Sequence, residues 1–133
     1  MTLNKTSMDR LQGVHPDLVK VVLKAAEITD QPFIVTEGVR TVERERSLIA
    51  KGLSSLKSPF SCRHVPTNGF GHAVDLAPVV NGVIPWKDWS KFASVARAMK
   101  AAASQVHVSI TWGGDWKTFK DGPHFELPKN LYP

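Results

Sequence analysis

The chain has 133 residues, 42% hydrophobic and 22% charged, proportions that fit one soluble globular domain and exclude a disordered or fibrous chain. A single cysteine, Cys62, excludes an internal disulfide framework, and a chain of this length buries enough surface to hold a core without one. Seventeen Lys and Arg against twelve Asp and Glu give +5, which points to an anionic partner (nucleic acid, a membrane surface or a phosphate-bearing envelope) without choosing among them.

No apolar run approaches the ~20 residues of a membrane-spanning helix, and the polar start Met1–Arg10 lacks the apolar stretch of a secretory signal. The chain is therefore expected to be made in a cytoplasm and to need outside help for export. Pro16 and Asp17 open a predicted helix in which Leu18, Val21, Val22, Ala25 and Ile28 recur at helical spacing, ending near Thr29. Asp30 to Pro32 breaks it, and Phe33, Ile34 and Val35 predict a short strand leading to Gly38. Thr41 is placed to cap a second helix from Val42 to about Lys51, stopped by Gly52. From Leu53 to Phe70 the chain turns irregular, long enough for a functional loop.

Ala73 to Val80 reads as a buried strand, Asn81-Gly82 as a tight hairpin turn, and Val83 and Ile84 as the returning segment. Asp88 can cap a helix on which Trp89, Phe92, Ala93, Ala96, Met99 and Ala103 form a broad apolar face. Trp86 and Trp89 are expected in the core. Val108 to Trp112 and Phe125 to Leu127 predict two further strands. Helices flanking a short, mainly antiparallel sheet give an α+β fold, one domain over residues 1–133.

One acid breaks the apolar pattern. Asp75, within Ala73-Val74-Asp75-Leu76-Ala77, needs a cation, a metal or several donors if it is buried. Of the histidines at 15, 64, 72, 107 and 124, His64 follows the long loop and His124 begins the last strand. Two imidazoles and one carboxylate form a donor set known for catalytic zinc, with a fourth position left for water. Ordinary structural histidines remain the competing reading, and His15 and His107 are taken as such.

Cys62-Arg63-His64, Gly71-His72-Ala73-Val74-Asp75 and Asp121-Gly122-Pro123-His124 together resemble the signature of the M15 zinc metallopeptidases, Ser-x-His, Gly-x-Ala-x-Asp and Glu-x-x-His. That family includes the D-alanyl-D-alanine dipeptidases and carboxypeptidases of vancomycin resistance and the L-alanyl-D-glutamate endopeptidases used as phage endolysins. The chain looks more similar to the endolysins, through Glu37-Gly38-Val39-Arg40-Thr41, Asp75-Leu76-Ala77-Pro78, Trp112-Gly113-Gly114-Asp115-Trp116 and His124-Phe125-Glu126-Leu127. The resemblance implies the D,D-peptidase and Hedgehog-like architecture without a separate wall-binding module. It also implies one zinc ion held by His64, Asp75 and His124, Asp121 as general base and acid, and Arg40 facing the scissile carbonyl. Three positions depart from the pattern. His64 and Asp75 stand eleven apart, four more than the family spacing, Cys62 replaces a serine, and Asp121 replaces the commoner glutamate.

Cys62 is also a candidate zinc ligand that would close the site. Arg40 has a plainer role open to it, pairing with Glu37 or Glu43. His72 is read as a rim residue touching substrate, and Trp112, Asp115 and Trp116 as lining a groove for peptide or sugar, with core packing the alternative for the tryptophans. Glu126, two positions after His124 and so on the same strand face, is placed to hold that histidine's second nitrogen. Lys51, Lys57, Arg63, Lys117, Lys120 and Lys129 offer a basic rim for an anionic envelope. The resemblance then implies a monomer that cuts peptidoglycan stem peptides between L-alanine and D-glutamate, with no specific nucleic acid partner. It would wait in the host cytoplasm for a holin-like protein to open the membrane. D,D-carboxypeptidase or dipeptidase action, and a non-catalytic basic binding protein, are the alternatives.

Overall fold

Pro16 presets the first helical φ of α2 (Pro16–Ile28), and His15 caps it by accepting the Asp17 N–H at Nδ1, 3.1 Å away. The computed structural model describes residues 1–133, with α1 (Lys5–Arg10) before α2, and β1 (Phe33–Glu37) and α3 (Val42–Ala50) after it. A loop with one 3-10 turn at Pro59–Ser61 leads to β2 (Ala73–Pro78), α4 (Trp89–Val106), β3 (Thr111–Trp112) and β4 (His124–Glu126). All four strands form one antiparallel sheet in the order β1-β2-β4-β3, the α+β arrangement the sequence predicts.

Alternation along the strands separates the two faces of the sheet. Phe33, Val35, Val74, Leu76 and Phe125 join Leu18, Val21, Val22, Ala25, Val95 and Met99 in the core beneath α2 and α4. Asp75, His124 and Glu126 are left for the other face, where they line a cleft.

α1 has no apolar period and is not predicted. Asn4 caps it by accepting the Ser7 N–H at 2.8 Å, and its role becomes clear from the sheet edge. β1 is an edge strand, and α1 covers its outward backbone groups: the Val35 N–H donates to Ser7 Oγ at 2.9 Å, and Arg10 Nη1 donates to the Val35 carbonyl at 3.0 Å.

Several expectations change on the structure. Val83 and Ile84 do not form a strand, because Val80 and Val83 make a single bridge across Asn81-Gly82 before Pro85 turns the chain. Only Thr111 and Trp112 of the 108–112 run enter the sheet, since β4 offers a partner just three residues long. Trp86 and Trp89 are 62% and 46% exposed rather than core. Trp86 stacks on Phe92, and the Trp89 ring lies tilted 5.6 Å from that of Trp112, at the start of α4. The extra residues before Asp75 form a hairpin in which Asn68 and Gly69 both take positive φ and Thr67 and Phe70 exchange backbone bonds of 2.9 and 3.1 Å.

Ser7 is buried and is the acceptor for the Val35 N–H, so Ser7→Ala strands that donor away from water. A loss of about 1–3 kcal/mol is expected in denaturant unfolding, without loss of the native fold.

Candidate active site

The antiparallel register sets Asp75 of β2 directly across from His124 of β4. A bulge in β1 between Val35 and Glu37 brings Glu37, in place of Thr36, opposite Asp75 on the other side. Three polar residues therefore run in a row across three strands. His64 reaches this row from the loop, held twice by the segment after β1. Its Nδ1 meets the Gly38 carbonyl at 2.8 Å, and its own carbonyl accepts the Arg40 N–H at 2.9 Å. Gly38 itself lies tight against α1, where a Cβ would overlap the Arg10 carbonyl.

These contacts fix the tautomers. With its Nδ1 proton on Gly38, His64 turns an Nε2 lone pair toward Asp75 Oδ1, 3.3 Å away. In its neutral form, with its Nε2 proton on Glu126 Oε1 at 2.8 Å, His124 turns an Nδ1 lone pair toward the same oxygen at 3.4 Å. His64 Nε2 and Asp75 Oδ1 are buried and have no hydrogen-bond partner. Three acceptors thus meet, all within 4.8 Å of one another, and a divalent cation satisfies all of them at once. The residues fit such an ion.

The same field acts on protons. Burial alone would lower the His124 pKa, yet the Asp75 and Glu126 carboxylates facing its two ring nitrogens outweigh that and raise it to about 9. Asp75 shows the reverse balance, its two histidine partners holding it well below the usual carboxylate range against burial.

Asp121 reaches the cleft through a tight turn. Its carbonyl accepts the His124 N–H at 3.2 Å across Gly122-Pro123, which explains the Asp-x-x-His spacing. Its N–H donates to the Gly113 carbonyl at 3.1 Å, and a Cβ on Gly113 would collide with the Asp121 carbonyl. Burial, then the nearby Asp75 charge, raises the Asp121 pKa against the pull of His124, His64 and Arg40.

Arg40 is more committed than the sequence implies. Nε and Nη2 grip Glu37 at 2.7 Å each, and Nη1 donates to Glu45 Oε2 at 2.8 Å and to Cys62 Sγ at 3.6 Å. Its second glutamate partner is Glu45, not Glu43. Glu45 is 0% exposed and also accepts the Ser54 hydroxyl at 2.6 Å, tying α3 to the loop. Sequence reasoning missed Glu45 and Ser54 because an acid within the charged run Glu43 to Arg46 leaves no apolar anomaly.

His64, Asp75, Asp121, His124, Arg40, Glu126, Trp116 and Cys62 all line one cleft of about 660 Å³. Cys62 is not one of the three converging donors, and burial raises its thiol pKa. Trp116 lies 5.1 Å from the His124 ring. Other residues fall elsewhere. Trp112 is core, 8% exposed, with Nε1 on the Gly122 carbonyl at 2.7 Å. Asp115 pairs with Lys100 at 2.8 Å outside the cleft lining. His72 is no rim residue: it stands an odd number of positions from Asp75, and its buried ring meets Thr67 Oγ1 at 3.2 Å and packs on His15. Of the proposed basic rim only Arg63 and Lys120 line the cleft, and Arg63 Nη2 is spent on the Leu127 and Tyr132 carbonyls.

Converging lone pairs with a carboxyl of raised pKa alongside are an arrangement that suits hydrolysis at a metal, and the relatives of the chain are peptidases. The chain belongs to the phage L-alanyl-D-glutamate peptidase family, whose sequence pattern matches residues 1–128. It is 34% identical over 128 residues to the L-alanyl-D-glutamate peptidase of Escherichia phage T5, covering 96% of this chain and 90% of that one. The crystal structure of the Serratia marcescens L-Ala D-Glu endopeptidase ChiX superposes with a TM-score of 0.84 at 38% identity, covering 99% of this chain and 94% of that one. Bacillus subtilis CwlK, a peptidoglycan L-alanyl-D-glutamate endopeptidase, is 26% identical over 111 residues, 73% of this chain and 61% of its own length.

A raised histidine pKa stabilises the fold fully below its unfolded value of 6.5, and the stabilisation is lost as pH rises through about 9. The metal-free protein is therefore expected to show a His124 imidazole resonance titrating near pH 9. Its melting temperature should fall between pH 6.5 and 9, and His124→Gln should remove that part of the fall.

Proposed function

We propose that this protein is a zinc-dependent peptidoglycan peptidase, a phage endolysin that cuts stem peptides between L-alanine and D-glutamate with one zinc ion per chain. The observation that carries the reading is the meeting of the His64, Asp75 and His124 donor atoms beside Asp121 in an open cleft. Family membership and the named activities of the T5 and Serratia relatives support the choice of bond.

A zinc ion in such a donor set supplies Lewis acidity to a water molecule and to the scissile carbonyl. Asp121 takes the proton of the attacking water and returns it to the leaving amine. Its raised pKa makes it a stronger base than an ordinary aspartate. Glu126 fixes the ring plane and tautomer of His124. Arg40 stabilises the developing oxyanion through the Nη2 proton that Glu37 leaves free, and the two glutamates lock its plane.

No helix is long and apolar enough to cross a membrane. The reading places the enzyme, as a monomer, in the host cytoplasm until a separate holin-like protein opens the membrane. Its net charge of +5 then favours the anionic envelope.

Purified muropeptides incubated with the zinc-loaded protein should yield a new amino terminus on D-glutamate, with activity lost to a chelator and restored by zinc. His64→Ala is expected to lose the metal. Asp121→Ala should keep one zinc per chain while turnover falls by about 10²–10⁴. A new terminus on D-alanine would overturn the bond assignment, and a fully active Asp121→Ala the base.

A further inference from the structure

Four cationic side chains line the cleft, Arg40, Arg44, Arg63 and Lys120, and the fold has already used two of them. Arg40 is neutralised by Glu37 and Glu45, while Arg63 faces Glu126 at 3.8 Å and donates to two carbonyls. Arg44 makes no side-chain hydrogen bond or ion pair, and the single contact of Lys120 Nζ is a long 3.4 Å bond to the Gly114 carbonyl. The acids lining the cleft are equally accounted for. Glu37 and Glu126 are the partners just named, Asp75 meets the two histidines, and Asp121 sits beside them. Two exposed positive charges therefore border the site with no counter-ion in the protein. One is on α3, the other adjoins the turn that carries Asp121.

The proposed substrate has what they lack. A glutamate has two carboxyl groups, and the onward chain can occupy only one of them. The other stays an anion on the residue whose amine leaves. We propose that Arg44 and Lys120 bind this free carboxylate and so set the preference for an acidic residue on the leaving-amine side of the scissile bond. The inference rests on the reading of the protein as an L-alanyl-D-glutamate peptidase. A guanidinium offers the carboxylate paired, planar N–H bonds, and the ammonium adds a mobile point charge. Such an arrangement penalises a neutral carboxamide of the same shape, which gains no charge-assisted bond.

Two synthetic stem peptides test this, one with the free carboxyl of D-glutamate intact and one with it amidated, each measured for kcat/KM with zinc-loaded protein. The wild type is expected to favour the acid by about tenfold, and the preference should shrink as salt rises. In Arg44→Gln/Lys120→Gln the acid-to-amide ratio should collapse to within about twofold of unity, with zinc content and melting temperature unchanged. Lys20→Gln, which removes an equal charge from the exposed side of α2, should retain the wild-type ratio. Equal rates on both peptides in the wild type, or an intact preference in the double variant, would overturn the assignment of the carboxylate site alone. Failure to cut either peptide at the L-alanyl-D-glutamate bond would instead bring down the peptidase reading, and this inference with it.

Discussion

Three lone pairs aimed at one another around Asp75 are the constraint on which the rest of the structure depends. Without an ion they repel unless His124 takes a second proton, and His64 Nε2 and Asp75 Oδ1 are buried without a hydrogen-bond partner. Much of the surrounding architecture holds them there regardless. The β2–β4 register supplies one pair, the Gly38 carbonyl orients the third member, and Glu126 turns His124 inward. An ion at this point would join β2, β4 and the 53–72 loop, so loading the site and stabilising the fold become a single event.

The charges around the cleft sort into those that hold geometry and those that remain free. Arg40 carries two carboxylates within 2.8 Å, so its guanidinium is rigid and much of its field is cancelled before any ligand arrives. Placement, more than net positive charge, is what that residue can contribute. Ser54 and the fully buried Glu45 extend the same lattice into the loop, so a disturbance of the 53–61 segment is felt at Arg40.

Legibility followed the physics of each element. α2, α3 and α4 were readable because their apolar faces or caps are local, and Asp75 because an acid in an apolar strand needs a reason to be there. The Asn81-Gly82 dipeptide signals the turn it makes but not the missing return strand, and Asn68-Gly69 carries the same signal inside a loop with no other pattern. Parity along β2 already separates His72 from Asp75, so its assignment to the rim was avoidable. α1 was not, because its purpose is to satisfy the edge of a strand that is distant in sequence. Glu45 and Gly113 belong to the same kind, set by contacts that exist only after folding.

The lone thiol has a consequence of its own. Cys62 is buried, its sulfur faces a guanidinium, and burial works against its ionisation. With no second cysteine the chain forms no internal disulfide, so its fold needs neither an oxidant nor a disulfide isomerase and is built the same way in reducing and oxidising surroundings.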